Sequence, residues 1–255
     1  MKIMKNILLL AALSGGLTMT SCSGSFLDEE MNPNYLSPAT FWKSESDIMK
    51  GLTAAYGSMQ PNAGWAVPYE RYIVIDNYRS DECVYRADVS SWMAMANFTN
   101  ESTGSVSRKE WTNLYKGINY ANQCLDNIPN VPESSSEVAS LKKQAIAEAR
   151  FLRAFYYYRL YINFGEIIPI FLHQLEGTEE EFYPNQAAPG QLVDLIEKEL
   201  TEVQADLPEK YDADNGGRAT RYAAAALLGK FYMFRHELDK AEAEFKKLIG
   251  KFELV

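Results

Sequence analysis

Apolar residues recur every three to four positions along most of this chain, which is the period of an amphipathic helix. The first such segment starts at 44–47, where Ser-Glu-Ser-Asp favours a capped helix start. Its apolar face is formed by Ile48, Leu52, Ala55 and Met59. Two longer segments follow at about 108–127 and 137–163, and the pattern resumes near Pro189. We therefore predict a mainly α fold.

Prolines and glycines separate these segments. Pro129 follows the second helix, Gly165 ends the third, and Gly216-Gly217 precede a final helical hairpin. Between residues 60 and 107 the helical period is lost, and this segment is rich in aromatic residues as well as proline and glycine. We predict an irregular, loop-rich lobe there, beside the helices.

The final hairpin matches the consensus of a tetratricopeptide repeat. The matching positions are Leu228, Gly229, Tyr232, Ala241 and Phe245. Small residues at Gly229 and Ala241 let the paired helices approach, while Tyr232 and Phe245 fill the groove beside them. One repeat period upstream, about 34 residues, Asp194 replaces the leucine. The sequence thus predicts a tetratricopeptide-repeat-like helical stack whose other repeats are degenerate.

The N-terminus has the pattern of a secretory signal peptide. Lys2 and Lys5 precede an apolar run at 7–13, and small residues then lead to Cys22. A cysteine at this point is typical of a bacterial lipoprotein, whose two or more acyl chains give stable anchoring. We predict a signal peptide at 1–21 and a lipidated tether and N-terminal segment at 22–44. The alternative is a secreted protein in which Cys22 is incidental.

Three blocks, in this order, resemble the SusD/RagB family of nutrient-binding outer-membrane lipoproteins of Bacteroidota. The first block comprises Cys22, Phe26-Leu27-Asp28 and Ser37–Trp42. The second runs from Glu148–Ala154 through Phe164-Gly165 to Ile168-Pro169. The third comprises Leu207-Pro208 and Gly216–Thr220. The resemblance implies a helical SusD-like domain at 45–255. Because family members are much longer, it also implies that the C-terminal part of the family fold is missing. We expect a truncated sequence or a split gene.

Composition narrows the possible partners. A net charge of −9 disfavours nucleic acid and anionic membrane surfaces. A hydrophobic fraction of 47% argues for a globular chain. Apart from the signal peptide, no apolar run approaches the roughly 20 residues of a membrane helix. Cys83 and Cys124 are too few for a disulfide framework, and we expect two buried free thiols.

Residue constellations typical of enzymes are missing from the sequence. The two histidines, His173 and His236, have no spacing for a zinc site, and neither a serine elbow nor a phosphate loop is present. Asp212–Gly216 is weakly similar to a calcium loop but fits a polar turn better. Because the chain has 34 acidic residues, the sequence leaves open whether two carboxylates lie close enough together for glycoside hydrolysis. We predict a non-enzyme without metal or cofactor.

The irregular segment carries the candidate ligand residues. Sugars bind to flat aromatic faces and to a few hydrogen-bonding side chains, because a sugar ring has an apolar face and a polar rim. Starch-binding family members use an arginine, a tryptophan and an asparagine from this region, and the Trp92–Asn97 spacing is similar. We predict Trp92 as a stacking platform, Arg79 and Asn97 as hydrogen-bonding partners, and Asp81 as a weaker candidate. Alternatively, Trp92 packs in the core and Asp81 caps a turn.

A second aromatic cluster lies between residues 151 and 164. Its members are Phe151, Phe155, Tyr156, Tyr157, Tyr158, Tyr161 and Phe164. We interpret them as packing or interface residues rather than a ligand box.

The resemblance implies a lipid-anchored, surface-exposed outer-membrane protein that binds nutrient oligosaccharide and delivers it to a TonB-dependent SusC-like transporter. Two alternatives stay open: a peptide-binding family member, and a protein-interaction scaffold that uses the repeat groove. Nucleic acid is not an expected partner.

Overall fold

A computed structural model of the chain describes residues 41–59, 75–83 and 88–252. The chain divides into two compact units, Met1–Phe41 and Trp42–Val255, and all helices given below belong to the second. The predicted signal peptide, Cys22 and most of the predicted tether lie outside the described residues.

The second unit is mainly helical, as predicted. In chain order its helices are α1 (Glu45–Gly57), α2 (Ser90–Ala96), α3 (Ser105–Asn127), α4 (Ser136–Phe164), α5 (Glu179–Phe182), α6 (Gln191–Glu202), α7 (Arg221–Phe234) and α8 (Leu238–Lys246). The β-structure in these ranges is one isolated bridge between Pro169 and Gln186. The same residues contain no helix long and apolar enough to cross a membrane.

Local sequence signals set the helix ends. At the start of α1, the Asp47 carboxylate accepts hydrogen bonds from the Ser44 backbone N–H at 3.0 Å and from its hydroxyl at 2.7 Å. The bond from Ser44 lowers the pKa of Asp47 below its usual value. At the end of α4, Gly165 has a φ of 85°, a left-handed conformation that favours glycine.

Helix α4 lies at the centre of the fold and packs against α1, α3, α6 and α7. Leu152, Tyr156, Tyr157 and Leu160 on this helix are fully buried in the main core. In the aromatic cluster of α4, four rings are buried and three are half-buried. Packing therefore accounts for the four buried rings, and the three half-buried rings lie at the edge of the main core.

The last hairpin has the close helix approach predicted for a tetratricopeptide repeat. A Cβ atom added at Gly229 of α7 would lie 2.6 Å from the ring of Phe245 in α8. The same arrangement occurs between α3 and α4, where a Cβ at Gly117 would lie 2.6 Å from the ring of Tyr156. The sequence comparison with the consensus did not detect this earlier hairpin.

Gly117→Ala is expected to destabilise the protein by about 1–3 kcal/mol, because the added methyl group overpacks a contact with the fully buried Tyr156 ring. Thermal and urea unfolding measure this loss. Gly57→Ala is the matched control, since among the described residues no atom outside its own helical turn lies within 4 Å of its added Cβ. Equal stability of the two variants would contradict the close approach of α3 and α4.

Buried ion pairs connect α4 to its neighbours. Arg153 donates hydrogen bonds to both carboxylate oxygens of Glu199 in α6, and its Nη1 also donates to Asn122 Oδ1 at 2.9 Å. At the N-terminal half of α4, Glu148 accepts from Arg218 Nε and from the Tyr56 hydroxyl, each at 2.8 Å. The central block of the family resemblance therefore contains residues that hold the helices together.

Further along α4, Arg159 binds Asp76 through two hydrogen bonds of 2.8 and 3.1 Å and reaches the buried Glu110 at 3.3 Å. This pair joins α4 to the residues that precede α2. The Arg159–Asp76 pair therefore places the described lobe residues around Asp76 against the C-terminal half of α4.

The two cysteines of this unit are free. Cys124 is fully buried, and burial raises the pKa of its thiol to about 12. Cys83 is only half-buried, so the expectation of two buried thiols is wrong for this residue. It lies in the loop-rich lobe, outside the main core.

Candidate functional site

A cleft of about 420 Å³ opens where the loop-rich lobe meets α3 and the end of α4. We call it the lobe cleft. Its lining residues come from four segments: Ile75, Arg79 and Met95 from the lobe, Asn100 and Ser102 from the α2–α3 connection, Ser107, Arg108 and Trp111 from α3, and Asn163 and Phe164 from α4. The lining thus combines aromatic, amide, hydroxyl and guanidinium groups.

Two aromatic rings form one side of the lobe cleft. Trp111 and Phe164 meet edge to face, with ring centroids 5.1 Å apart and planes at 88°. Tyr115 supports Trp111 from one helical turn further on, at 4.8 Å, and its hydroxyl is fixed by Pro169 O at 2.7 Å. Trp111 and Phe164 are both half-buried, so part of each ring is accessible to a ligand.

The guanidinium of Arg79 is held in place at the cleft. Its Nε donates to Ile75 O at 2.7 Å, and its Nη2 donates to Asn163 Oδ1 at 2.6 Å. The Asn163 amide is oriented in turn by a 3.0 Å bond from its Nδ2 to Arg159 O. A guanidinium has five N–H donors, so others stay available to a ligand.

A second cleft of about 470 Å³ lies between α4 and α7 and shares Arg79 and Asn163 with the first. Its other lining residues are Asp76, Phe155, Tyr158, Arg159, Ile162, Leu227, Lys230 and Phe234. We call it the helix cleft. Arg79 therefore lies at the boundary between two concave surfaces.

Trp92 lies behind the lobe cleft. It is 9% exposed and belongs to a small apolar cluster with Ile75, Met95 and Val106. Its ring meets Tyr78 edge to face at 5.8 Å. Since Ile75 and Met95 line the cleft, Trp92 supports the cleft wall. This geometry favours the core-packing alternative, and the stacking role of Trp92 stays a prediction.

Residues 25–233 match a SusD-like family that is described as "Starch-binding associating with outer membrane". The chain belongs to the SusD-like family. Among its relatives, SusD-like protein P25 of Formosa agariphila is 26% identical over 226 residues, which are 84% of this chain and 40% of that protein.

Two solved structures show the same fold. A laminarin-binding SusD-like protein is 28% identical with a TM-score of 0.68, and the match covers 82% of this chain and 44% of that one. Surface glycan-binding protein A from Bacteroides uniformis is 24% identical with a TM-score of 0.71, covering 83% of this chain and 48% of that one. The chain thus spans less than half the length of these relatives.

The structure brings one of the four predicted ligand residues of this SusD-like chain, Arg79, into the lobe cleft. Asn97 is exposed at the C-terminal end of α2, where its N–H donates to Met93 O at 2.9 Å. Asp81 is exposed in a turn of the lobe. Neither residue lines the lobe cleft or the helix cleft. Their ligand-binding roles stay predictions.

Sequence reasoning did not find Trp111, Phe164 or Asn163 as cleft residues. Trp111 fits the apolar period of α3, and Phe164 ends the aromatic cluster of α4, so both resemble core positions. Their half-burial depends on the lobe packing beside them, which no local pattern reports. The sequence feature that could have indicated the cleft is the amide of Asn163 next to the aromatic ring of Phe164 at the end of α4.

Metal binding finds no support in the part of the chain that the structure describes, where no three His, Cys, Asp or Glu side chains come together as a metal site would require. The calcium-like segment is a polar turn, as expected. Asp212 Oδ1 accepts a hydrogen bond from the Asn215 N–H at 2.9 Å and so caps a short 3₁₀ turn.

Proposed function

We propose that this SusD-like protein binds a nutrient oligosaccharide without chemically changing it. The observation that carries the proposal is the lobe cleft, where two half-buried aromatic rings lie beside a fixed guanidinium and several amide and hydroxyl groups. These groups suit the apolar face and polar rim of a sugar ring. The laminarin-binding relative and the family description support a glycan as the ligand class.

The proposed binding residues come from both the sequence and the cleft. Arg79 donates hydrogen bonds to sugar hydroxyls, and Trp111 with Phe164 supplies the aromatic surface. Trp92, the predicted platform, keeps Ile75 and Met95 in the cleft wall. Asn97 and Asp81 lie on the lobe surface and contribute where a longer oligosaccharide extends past the cleft.

Trp111→Leu is expected to weaken oligosaccharide binding by about 1–3 kcal/mol, by analogy with other stacking platforms. Leucine retains apolar packing but lacks the flat ring. Calorimetric titration of the full encoded protein with malto- and laminari-oligosaccharides, after a glycan-array screen, measures the loss. Chromatography of the recovered sugar checks that no bond has been cleaved.

Tyr183→Leu is the matched control, because Tyr183 is 82% exposed and lies outside the lobe cleft. It should bind like the unchanged protein. If the Trp111→Leu variant bound oligosaccharide as tightly as the unchanged protein, the aromatic pair would not be part of the ligand site. Preference for peptides over every glycan on the array would favour the peptide-binding alternative.

We further propose that the protein is anchored to the outer membrane through lipidated Cys22, is exposed at the cell surface, and passes its ligand to a TonB-dependent SusC-like transporter. The signal-peptide pattern at 1–21 and the outer-membrane association of the family support this proposal. An acyl anchor contributes about 0.8 kcal/mol for each buried methylene, so two or more chains give stable attachment.

Cys22→Ala is expected to move the protein out of the outer-membrane fraction, because the variant has no acceptor for the lipid. Cell fractionation with immunoblotting measures the distribution, and Cys83→Ala is the matched cysteine control. If the Cys22 variant stays in the membrane after a high-salt wash, in cells lacking the transporter, lipidation is not the anchor.

A further inference from the structure

The arginines in the described residues divide into two groups. Most of those in the described residues form ion pairs with carboxylates: Arg150, Arg153, Arg159, Arg218, Arg221 and Arg235. Arg79 and Arg108, by contrast, have no carboxylate within ion-pair distance among those residues. Both of these arginines line the lobe cleft. Among the described residues, the arginine charge that no carboxylate neutralises therefore lies at the lobe cleft.

Acidic side chains are also missing from the described lining of the lobe cleft, although the whole chain carries a net charge of −9. The helix cleft differs, because Asp76 lines it and binds Arg159 through two hydrogen bonds. A concave site with one sign of charge attracts ligands of the opposite sign. The field in the lobe cleft thus favours an anionic ligand.

The two guanidinium groups are suited to different parts of such a ligand. Arg79 is half-buried and fixed by Ile75 O and Asn163 Oδ1, so little side-chain freedom is lost when it binds. Arg108 is exposed on the first turn of α3 and can follow the ligand at the rim. Arginine recognises carboxylate and sulfate-like groups through paired N–H donors, and these charge-assisted bonds are stronger than neutral ones.

We propose that the lobe cleft selects acidic glycans. In this assignment, Arg79 and Arg108 bind an anionic substituent of the sugar, either the carboxylate of a uronic acid or a sulfate ester. The sugar ring lies against Trp111. The assignment rests on the proposed function, since it names the class of oligosaccharide that the same cleft takes.

The test compares matched acidic and neutral ligands by calorimetric titration of the full encoded protein. One pair is an oligogalacturonide and its methyl ester, and the other is a sulfated galactan oligosaccharide and its desulfated form. At least one acidic ligand should bind ten-fold or more tightly than its neutral partner. This preference should shrink as salt rises, because salt screens the exposed Arg108. The ligand pair that shows the acidic preference tells whether the cleft recognises a carboxylate or a sulfate.

Charge-removing variants then locate the site. Arg108→Gln should reduce the affinity for the acidic ligand by about ten- to one-hundred-fold, with little effect on the neutral one. Arg79→Gln should reduce the acidic affinity by a similar factor and the neutral affinity by a smaller one, because Arg79 also donates hydrogen bonds to sugar hydroxyls. Lys230→Gln removes a cation that lines only the helix cleft, so it should keep the preference. Thermal melting of all three variants identifies any loss that comes from unfolding.

The outcomes separate this inference from the proposed function. If neither acidic ligand binds more tightly than its neutral partner, while neutral glycans do bind, the acidic preference is wrong and the proposal of glycan binding still stands. Binding of no glycan, neutral or acidic, overturns both. The inference is also wrong if Lys230→Gln loses the acidic preference while Arg108→Gln keeps it. It is wrong as well if a polyglutamate peptide binds more tightly than any glycan.

Discussion

Glu199→Ala is expected to destabilise the protein by about 3–5 kcal/mol, one of the largest effects of any single substitution proposed for this fold. Glu199 is 2% exposed and accepts hydrogen bonds from Arg153, which is itself buried. Removing the carboxylate leaves the Arg153 guanidinium charged, buried and short of a partner between α4 and α6. Urea unfolding, followed by circular dichroism, measures the change in the free energy of unfolding.

A double variant makes this prediction specific. Arg153→Met with Glu199→Leu replaces the ion pair by apolar side chains, and this variant should lose less stability than Glu199→Ala. The loss that remains comes from the buried Asn122 Oδ1, which no longer has Arg153 as its donor. Glu209→Ala is the control, because its 3.6 Å pair with Arg221 is exposed and contributes little. If the single and double variants lost the same stability, desolvated charge would not be the cause.

Trp92→Ala is expected to remove about 3–5 kcal/mol of stability, because the buried indole is the largest member of the small apolar cluster with Ile75, Met95 and Val106. The same change should weaken glycan binding indirectly, since Ile75 and Met95 would lose their support at the cleft. Thermal melting measures the first effect, and calorimetric titration with the oligosaccharide found in the array screen measures the second.

Met93→Ala on the same helix is the matched control for Trp92→Ala. Met93 is 37% exposed and lies outside the cluster, so its loss should change stability and affinity little. A Trp92→Ala variant with unchanged melting temperature and reduced affinity would contradict the packing role. It would then support the stacking platform that the sequence predicts.

The helices of this fold are predictable from sequence because their signals are local. The apolar period of α3 and α4, the cap at Ser44 and the stop at Gly165 each act within a few residues. The Gly229–Phe245 contact could be predicted for the same reason, since a repeat consensus encodes its spacing. The equivalent Gly117–Tyr156 contact could not, because its helices are too long for that consensus.

The cleft depends on contacts that join distant parts of the chain. Arg79 is oriented by Asn163, which lies 84 residues further on, and no periodicity connects the two. Trp92 has the residue type and spacing of a ligand platform, but the packing of Ile75, Met95 and Val106 around it decides its burial. Sequence therefore indicated the lobe that borders the cleft and one arginine that lines it, and it did not indicate the aromatic pair.

A crystal structure of the full encoded protein with the oligosaccharide selected by titration is the most direct test of glycan binding in the lobe cleft. We expect a sugar ring against Trp111 and a hydrogen bond from the Arg79 guanidinium to that sugar. A ligand bound in the helix cleft, or elsewhere with the lobe cleft empty, would contradict the proposed site.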